Sequence, residues 1–476
     1  MFRAYSKSTR IKIYGLGNFD MAWTSGIVAI LATLLGLQTA FAAVSVEEAK
    51  RLERDLTPIG AEKAGNAADT IPAWDGGLTA PPPGITVDPG KHLPDPYSAD
   101  QPLFTISSVN MAQYDIQITE GHKGLMAAYP DSYFMKVYPT HRSCAYPAQV
   151  YQAVKRNAAN AQLTDNGNGV TGATMAAPFP IPQSAREILW NHELGYRGFR
   201  VKRESVSAAP TKGGDFTLEI TQDQLIYLYS NPALTKTGDL QNVIFHFLKV
   251  NVSPPAKAGS MSLNHNTLNQ VAEERRFWIY QPGQRKVRRV NGTSYDSLIG
   301  GSEGIRTSDN TVVFTGAADR YDWELLGKQE KLIPYNLFQF ASPEHEYKNI
   351  LHKQHLNPEL MRYELHRVWV VEGKLKPGKT HIIAARRRMY IDEDSWLPVA
   401  TDLFDGTDKL ARVQEGHVSN YYDQPLCALG SDVVYDVTGE RYHVMGLRNQ
   451  QKPVEFNADI DPELLTPGGM RRLGVR

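Results

Sequence analysis

Between Ala384 and Asn420 the chain reads AARRRMYIDEDSWLPVATDLFDGTDKLARVQEGHVSN, three strand-like runs joined by two tight turns. The first turn is Asp392-Glu393-Asp394-Ser395 and the second Asp405-Gly406-Thr407-Asp408. An Asp-Gly pair suits a hairpin because glycine accepts positive φ. Strands this close together must run antiparallel, since a parallel neighbour needs a crossover of a dozen or more residues. The stretch is therefore a β-meander, and the acidic first turn reads as a connector. The same logic recurs upstream. Met261, Leu263 and His265 alternate against Ser260, Ser262, Asn264 and Asn266, which predicts a strand with one wet face. RFWIY and KVRRV, between Arg276 and Val290, are joined by Gln281-Pro282-Gly283-Gln284 as a hairpin. Val243 to Val252 and Val368 to Val371 are apolar on both sides, so parts of the sheet must be covered twice.

Helical signals are fewer. Periodicity predicts helices over Ser45 to Leu56, Asn110 to Tyr129 and Ala148 to Leu163, and a helix with a loop over Ser342 to Glu359. Ser184-Ala185-Arg186-Glu187 is a capping box that starts a further helix, ending near Gly195 or Gly198. Few crossover helices between many strands predict an α+β protein with an antiparallel sheet and its helices gathered on one face. Thr57 to Phe104 holds nine prolines and six glycines, too many for a regular element, while its scattered Trp74, Leu78, Leu93 and Phe104 predict a strap laid on the body. The tail from Glu455 to Arg476 is expected to be poorly ordered.

Residues 1–42 read as a secretory signal peptide. Arg3, Lys7, Arg10 and Lys12 precede an apolar run from Gly26 to Leu37, and Ala40-Phe41-Ala42 forms a small-x-small cleavage site. The apolar run is shorter than the roughly 20 residues that span a bilayer. Removing four cations and one anion from the 51 and 51 of the whole chain leaves 47 and 50, a net charge of −3. Nothing in that balance points to a basic nucleic-acid surface. In an oxidising periplasm Cys144 and Cys427 either form one disulfide or remain two buried thiols acting as small apolar residues. The expected organisation is a signal peptide (1–42), N-terminal helices and strap packed on the body (43–183), a sheet domain (184–454) and a C-terminal tail (455–476).

Several constellations resemble chemical motifs. Gly300-Gly301-Ser302-Glu303-Gly304 matches the nucleophile elbow, but Thr311 to Phe314 reads as a strand and no helix follows the serine, so a hydrolase using Ser302 is a minority alternative. Glu344, His345, Glu346, His352, His355, Glu364 and His366 fit no metal-ligand spacing. His192-Glu193 begins H-E-x-x-H, but Tyr196 stands where the second histidine would be. Asp392-Glu393-Asp394 lacks the glycine and terminal glutamate of a calcium loop. No catalytic residue, cofactor or metal ligand is assigned. Seven Trp, 23 Tyr and 16 Phe either fill a core or wall a cavity for a greasy ligand, and Trp278, Tyr280, Trp323 and Trp369 are the cavity candidates.

Six stretches carry a resemblance: SVEEAKRLERDLTPIGAEKAGNAADTIPAWDGG (45–77), FPIPQSAREILWNHELGYRG (179–198), QVAEERRFWIYQPGQRKVRRV (270–290), DRYDWELLGKQEKLIPYN (319–336), LNPELMRYELHRVWVVE (356–372) and RRRMYIDEDSWLPVATDLFDG (386–406). Together they resemble the bacterial family called domain of unknown function 1329, grouped with LolA- and LolB-type outer-membrane lipoprotein-sorting proteins. The resemblance implies a strongly curved antiparallel sheet, a LolA-like incomplete β-barrel closed by helices over an apolar cavity for acyl chains. It also implies a non-enzymatic periplasmic carrier of a lipid or other hydrophobic molecule between the membranes. The partners so implied are an RND-type inner-membrane exporter and a porin-like outer-membrane protein. The alternative is an adaptor between those two that carries no cargo.

Overall fold

The computed structural model describes residues 44–293 and 295–474, so the signal-peptide reading lies outside the described residues. In chain order the strands are β1 (Phe104–Ile106), β2 (Met135–Val137), β3 (Gln162–Thr164), β4 (Gly169–Thr171), β5 (Arg200–Ala208), β6 (Glu219–Ile226), β7 (Val243–Ser253), β8 (Met261–Thr267) and β9 (Arg276–Gln281). They continue as β10 (Lys286–Val290), β11 (Tyr321–Pro334), β12 (Tyr363–Leu375), β13 (Arg386–Asp392), β14 (Pro398–Phe404), β15 (Leu410–Tyr421), β16 (Leu426–Asp436), β17 (Arg441–Leu447) and β18 (Glu455–Phe456). The helices are α1 (Val46–Ala49), α2 (Glu120–Ala128), α3 (Ala148–Asn160), α4 (Ala185–Glu193), α5 (Tyr347–Ile350) and α6 (Pro467–Gly474).

All strands except the β3–β4 pair join one sheet in the order β1-β2-β12-β13-β14-β15-β16-β17-β5-β6-β7-β8-β9-β10, with β11 on β12 and β18 on β5. The sheet is not closed into a barrel. It is mixed and not purely antiparallel, because β2 meets β12 through one parallel pair, Val137 with Tyr363. The predicted meander is β13–β14–β15, and the predicted hairpin is β9–β10.

Every residue of β14 is buried, so this part of the sheet needs cover on both faces. The helices are accordingly distributed over separate core clusters and not gathered on one face. Leu125 and Met126 of α2 pack in a cluster with Val413 and Tyr435. Val150 and Val154 of α3 and Ile188 of α4 pack with Val368, Val370 and Met389. Gly121 shows how close α2 comes, since its N–H donates to Asp402 Oδ1 at 2.9 Å and a Cβ there would collide with that carboxylate and with Val413. α4 starts on the predicted capping box, with the Ser184 and Glu187 side chains each accepting from the other's backbone N–H. The predicted helix over Asn110 to Tyr129 shortens to α2 after a 3-10 turn, and the one within Ser342 to Glu359 shrinks to the single turn α5. The described part of the tail, residues 455–474, is ordered. Leu465 and Met470 are buried against Leu248, Leu263 and Tyr280, because the apolar residues of β7–β9 on this face require cover.

Apart from an isolated Leu56–Glu62 bridge, residues 57–103 form neither helix nor strand, and side chains of the body hold them. Arg142 donates to Asp394 at 2.9 and 2.7 Å and to the Glu62 carbonyl at 2.8 Å. Trp396 Nε1 donates to Ile59 O at 3.0 Å, and Leu78 N–H to Ser143 O at 2.8 Å. The turn Asp392 to Ser395 is thus no simple connector: all four residues are buried, and Glu393 also receives Lys328 and Arg367. Cys144, which follows Ser143, is disulfide-bonded to Cys427 of β16, with Cα atoms 5.6 Å apart.

Candidate functional site

Side chains alternate across a strand, so facing residues of neighbouring strands form rows on one face of the sheet. On β5–β9 one such row is Val201, Leu225, Phe247, Asn264 and Phe277. A second row holds Phe245 opposite Asn266, flanked by Tyr227 and Arg275. A third is Arg203, Asp223, Lys249 and Ser262. These rows, except for Asp223, form one wall of a cavity of about 390 Å³. The lining continues across the same sheet with Phe456, the register partner of Val201, Met445 of β17, Ala428 and Leu429 of β16 and Tyr421, and the Tyr421 and Phe456 rings meet edge to face at 4.9 Å. The face predicted to be wet, Ser262-Asn264-Asn266, therefore looks into this cavity.

The roof is the segment between β10 and β11, which contributes Leu298, Ile299, Thr311, Val312 and Thr315. Three pins hold it. Fully buried Arg306 reaches Asp432, donates to His443 Nδ1 at 3.1 Å and to Asn310 O at 2.8 Å. Asp309 accepts from Arg387 at 2.8 Å and from His381 at 3.0 Å. Glu193 accepts the Gly316 N–H at 2.7 Å. Between the pins Val312 and Val313 have φ of 48° and 69°, a left-handed backbone that β-branched residues adopt only where the surroundings over-determine it. The strand predicted over Thr311 to Phe314 is absent, because this segment folds as turns.

Five cations line the cavity, Arg197, Arg203, Lys249, Arg275 and Arg448, and no carboxylate does so among the described residues. Arg203 is paired to Asp223 at 3.0 Å. Arg197 donates to His192 O at 2.7 Å and Arg448 to Tyr421 Oη at 2.8 Å. Arg275 donates to Thr293 O through Nη2, while its Nε is buried without a partner among the described residues, as are Asn264 Oδ1 and Asn266 Nδ2 on the adjoining strand. Burial pushes the Arg275 guanidinium below its ordinary value, opposed by the charges of Asp309, Glu193 and Glu274.

The four aromatic candidates lie elsewhere. Trp278 and Tyr280 stand on the face of β9 opposite to Phe277, where Trp278 meets His265 edge to face at 4.9 Å and Tyr280 donates to Gly474 O at 2.6 Å. Trp323 donates to Ala318 O at 2.8 Å, and Trp369 lies parallel to Trp396 at 6.3 Å. Ser302 is buried, donates to Ile299 O at 2.7 Å, and has no histidine partner among the described residues. His192 is a packed core residue bonded to Phe314 O at 2.8 Å, and burial pushes it down to about 3. The residues Glu344 to His366 disperse: His352 is exposed, His355 bonds Ser132 at 2.9 Å, and His366 bonds Glu364 at 3.3 Å. His366 instead approaches Asp392 and Asp394, a trio whose ligand atoms lie within 4.8 Å of one another. There Arg142 already holds Asp394, and Ser395 donates to Asp392 at 2.5 Å. The cavity residues Phe245, Phe247 and Phe277 were not singled out from the sequence, and Asn266 was read only as part of a wet strand face. No sequence signal marks them, since Lys249 shares a polar row with Arg203, Asp223 and Ser262 and Arg275 lies in the charged run Glu273 to Arg276.

Fold and cavity define an α+β protein built on one open sheet that encloses a ligand-sized, largely apolar space. The chain belongs to the family described as protein of unknown function (DUF1329), whose model matches residues 105–471. The uncharacterized protein PA3922 of Pseudomonas aeruginosa is 44% identical over 453 residues, covering 95% of this chain and 98% of that one. Among solved structures, a putative outer membrane lipoprotein-sorting protein domain from Vibrio parahaemolyticus has 10% identity and a TM-score of 0.39, over 58% of this chain and 92% of the other. A DUF1329 family protein from Desulfovibrio piger has 14% identity and a TM-score of 0.38, over 57% and 92%. The LolA superfamily protein NE2245 from Nitrosomonas europaea has 10% identity and a TM-score of 0.34, over 60% and 97%. Among the described residues no helix is long and apolar enough to cross a membrane.

Proposed function

We propose that this protein is a periplasmic carrier that holds a lipid or other hydrophobic molecule between the curved sheet, an incomplete barrel, and the roof segment, and moves it between the inner and outer membranes. The observation that carries this reading is the cavity itself. Side chains of five consecutive strands, including aromatic or aliphatic ones on β5, β6, β7 and β9 and polar ones on β8, surround about 390 Å³ instead of filling it, a size within the roughly 300–1,000 Å³ of small-molecule sites. Each methylene buried there contributes about 0.8 kcal/mol before ordering costs. The sequence of residues 1–42 and the Cys144–Cys427 disulfide both suit an oxidising compartment beyond the inner membrane. Loading and release require the pinned roof to open.

The test is native mass spectrometry of the purified protein together with titration by the neutral fluorescent amphiphile N-phenyl-1-naphthylamine. A co-purifying hydrophobic ligand or saturable fluorescence enhancement is expected. If neither is observed, the carrier reading falls, and an adaptor without cargo between an RND-type exporter and a porin-like protein becomes the better account.

A further inference from the structure

The apolar rows account for binding a hydrophobic chain, but not for the charge and the vacant donors beside them. A cavity for a neutral lipid has no use for uncompensated cations, because a charge removed from water is costly unless it is paired. Of the five cations in the lining, only Arg203 has a carboxylate within 4 Å among the described residues. Arg275 is the most exacting case. It immediately precedes β9, its neighbour Arg276 pairs with His265, and it therefore sits beside Asn266 on β8. Asn266 is 1% exposed, its Oδ1 is used by Gln270, and its Nδ2 has no acceptor among the described residues. Arg275 Nε is likewise a buried donor without an acceptor among the described residues.

The acidic groups in Coulombic range of Arg275 do not relieve this. Asp309 is held by Arg387 and His381, Glu193 is committed to the Gly316 N–H and Thr315, and the exposed Glu274, the preceding residue, forms no ion pair with Arg275 within 4 Å. Two adjacent unmet donors, one of them cationic, at one end of an apolar wall match an oxygen anion attached to a chain.

Resting on the carrier reading, we infer that the cavity takes a single-chain amphiphile with an anionic head group, a carboxylate or a phosphate, whose oxygens are received by Arg275 and Asn266. The chain lies along Phe245, Phe247 and Leu225. The volume argues for one chain, since about 390 Å³ is near the lower end of the roughly 300–1,000 Å³ range of ligand sites. Arg197, on the same side of the cavity near Glu193, adds positive potential without closing the site, because its own hydrogen bonds go to His192.

The experiment is displacement of N-phenyl-1-naphthylamine from the disulfide-bonded protein by four competitors with the same twelve-carbon chain. These are dodecyl phosphate, laurate, dodecanol and dodecyltrimethylammonium. Dodecyl phosphate or laurate is expected to displace the probe at a concentration about tenfold or more below that of dodecanol, the gain of a hydrogen bond to a charged group, with the cationic competitor weakest. Comparing the two anions then separates a phosphate from a carboxylate ligand. In Arg275→Gln the ratio between anion and alcohol should collapse, and in Arg275→Lys it should largely persist. If Arg275→Gln does not fold, the wild-type ranking decides alone. Equal displacement by laurate, dodecyl phosphate and dodecanol in the wild type, or a ratio that survives in Arg275→Gln, overturns the inference. Failure of the probe and of all four competitors to bind removes the carrier reading, and this inference with it.

Discussion

The Arg387 guanidinium donates to the Asp309 carboxylate at 2.8 Å, and this buried pair ties the roof of the cavity to β13. Burial alone would raise the Asp309 pKa, but Arg387 and His381 hold the carboxyl well below the usual range. Removing one partner leaves a buried charge unmatched, so Asp309→Asn should lower unfolding stability by about 3–5 kcal/mol at neutral pH. The sign of the pH dependence follows from the depressed pKa. The stabilisation is fully present above the ordinary carboxylate value of about 3.9 and is lost as pH falls through the lower folded-state value. Urea unfolding of wild type and variant across pH should therefore show a constant gap above about pH 4 that narrows in stronger acid. A gap that instead widens in acid would contradict the pairing.

Glu193 titrates in the opposite sense. Loss of water around it pushes its pKa up to about 7, against the pull of Arg197 and Arg275. The folded state keeps this proton where the unfolded chain has lost it. Stability from this group is thus greatest below the ordinary glutamate value of about 4.3 and declines as pH rises through about 7. Glu193→Gln should flatten that part of the stability profile, which chemical denaturation at several pH values measures directly.

Arg142 joins strap and body in one residue, donating to Asp394 and to the Glu62 carbonyl. Arg142→Leu leaves Asp394 buried and unpaired and releases the strap's backbone acceptor. Limited proteolysis should then cut within residues 57–103 at least about tenfold faster than in wild type, for a loss of about 1.4 kcal/mol or more in local stability. Unchanged cleavage would mean that the strap is held by its apolar contacts alone.

The disulfide links positions 283 residues apart. Closing so long a loop restricts the unfolded chain, so the double replacement of Cys144 and Cys427 by alanine should cost about 2–5 kcal/mol. Thermal unfolding of the oxidised protein, the reduced protein and the variant measures it, with the last two expected to coincide.

These pairs mark where the sequence was legible and where it was not. Local chemistry was readable: the Ser184–Glu187 box starts α4, and Gln281-Pro282-Gly283-Gln284 turns β9 into β10. The meaning of Asp392 to Ser395 was hidden because its partners Arg142, Lys328 and Arg367 lie far away in the chain. An acidic turn between strands looks alike whether water or three cations surround it. The cavity was hidden for a related reason. Ser262, Asn264 and Asn266 alternate like any solvent-facing strand, and only the roof segment, brought over them by Arg306 and Asp309, makes that face an interior one. Aromatic content pointed to Trp278 and Tyr280, which alternation in β9 places on the other face of the sheet. The tail looked disordered from its Pro and Gly residues, yet Leu465 and Met470 had the apolar outer face of β7–β9 to cover.

Ala428 offers the most direct way to close the cavity without disturbing its walls. It lines the space on β16 and is half-buried, so a larger side chain there grows into the cavity and not into packed core. The usual penalty of overpacking, about 1–3 kcal/mol, should therefore be small at this site. Ala428→Trp should keep a cooperative thermal transition close to that of wild type while weakening N-phenyl-1-naphthylamine binding about tenfold or more, equivalent to about 1.4 kcal/mol. A variant that folds normally and still binds the probe with wild-type affinity would place the ligand outside this cavity, and the rows of Phe245, Phe247 and Phe277 would then have to be read as one more part of the core.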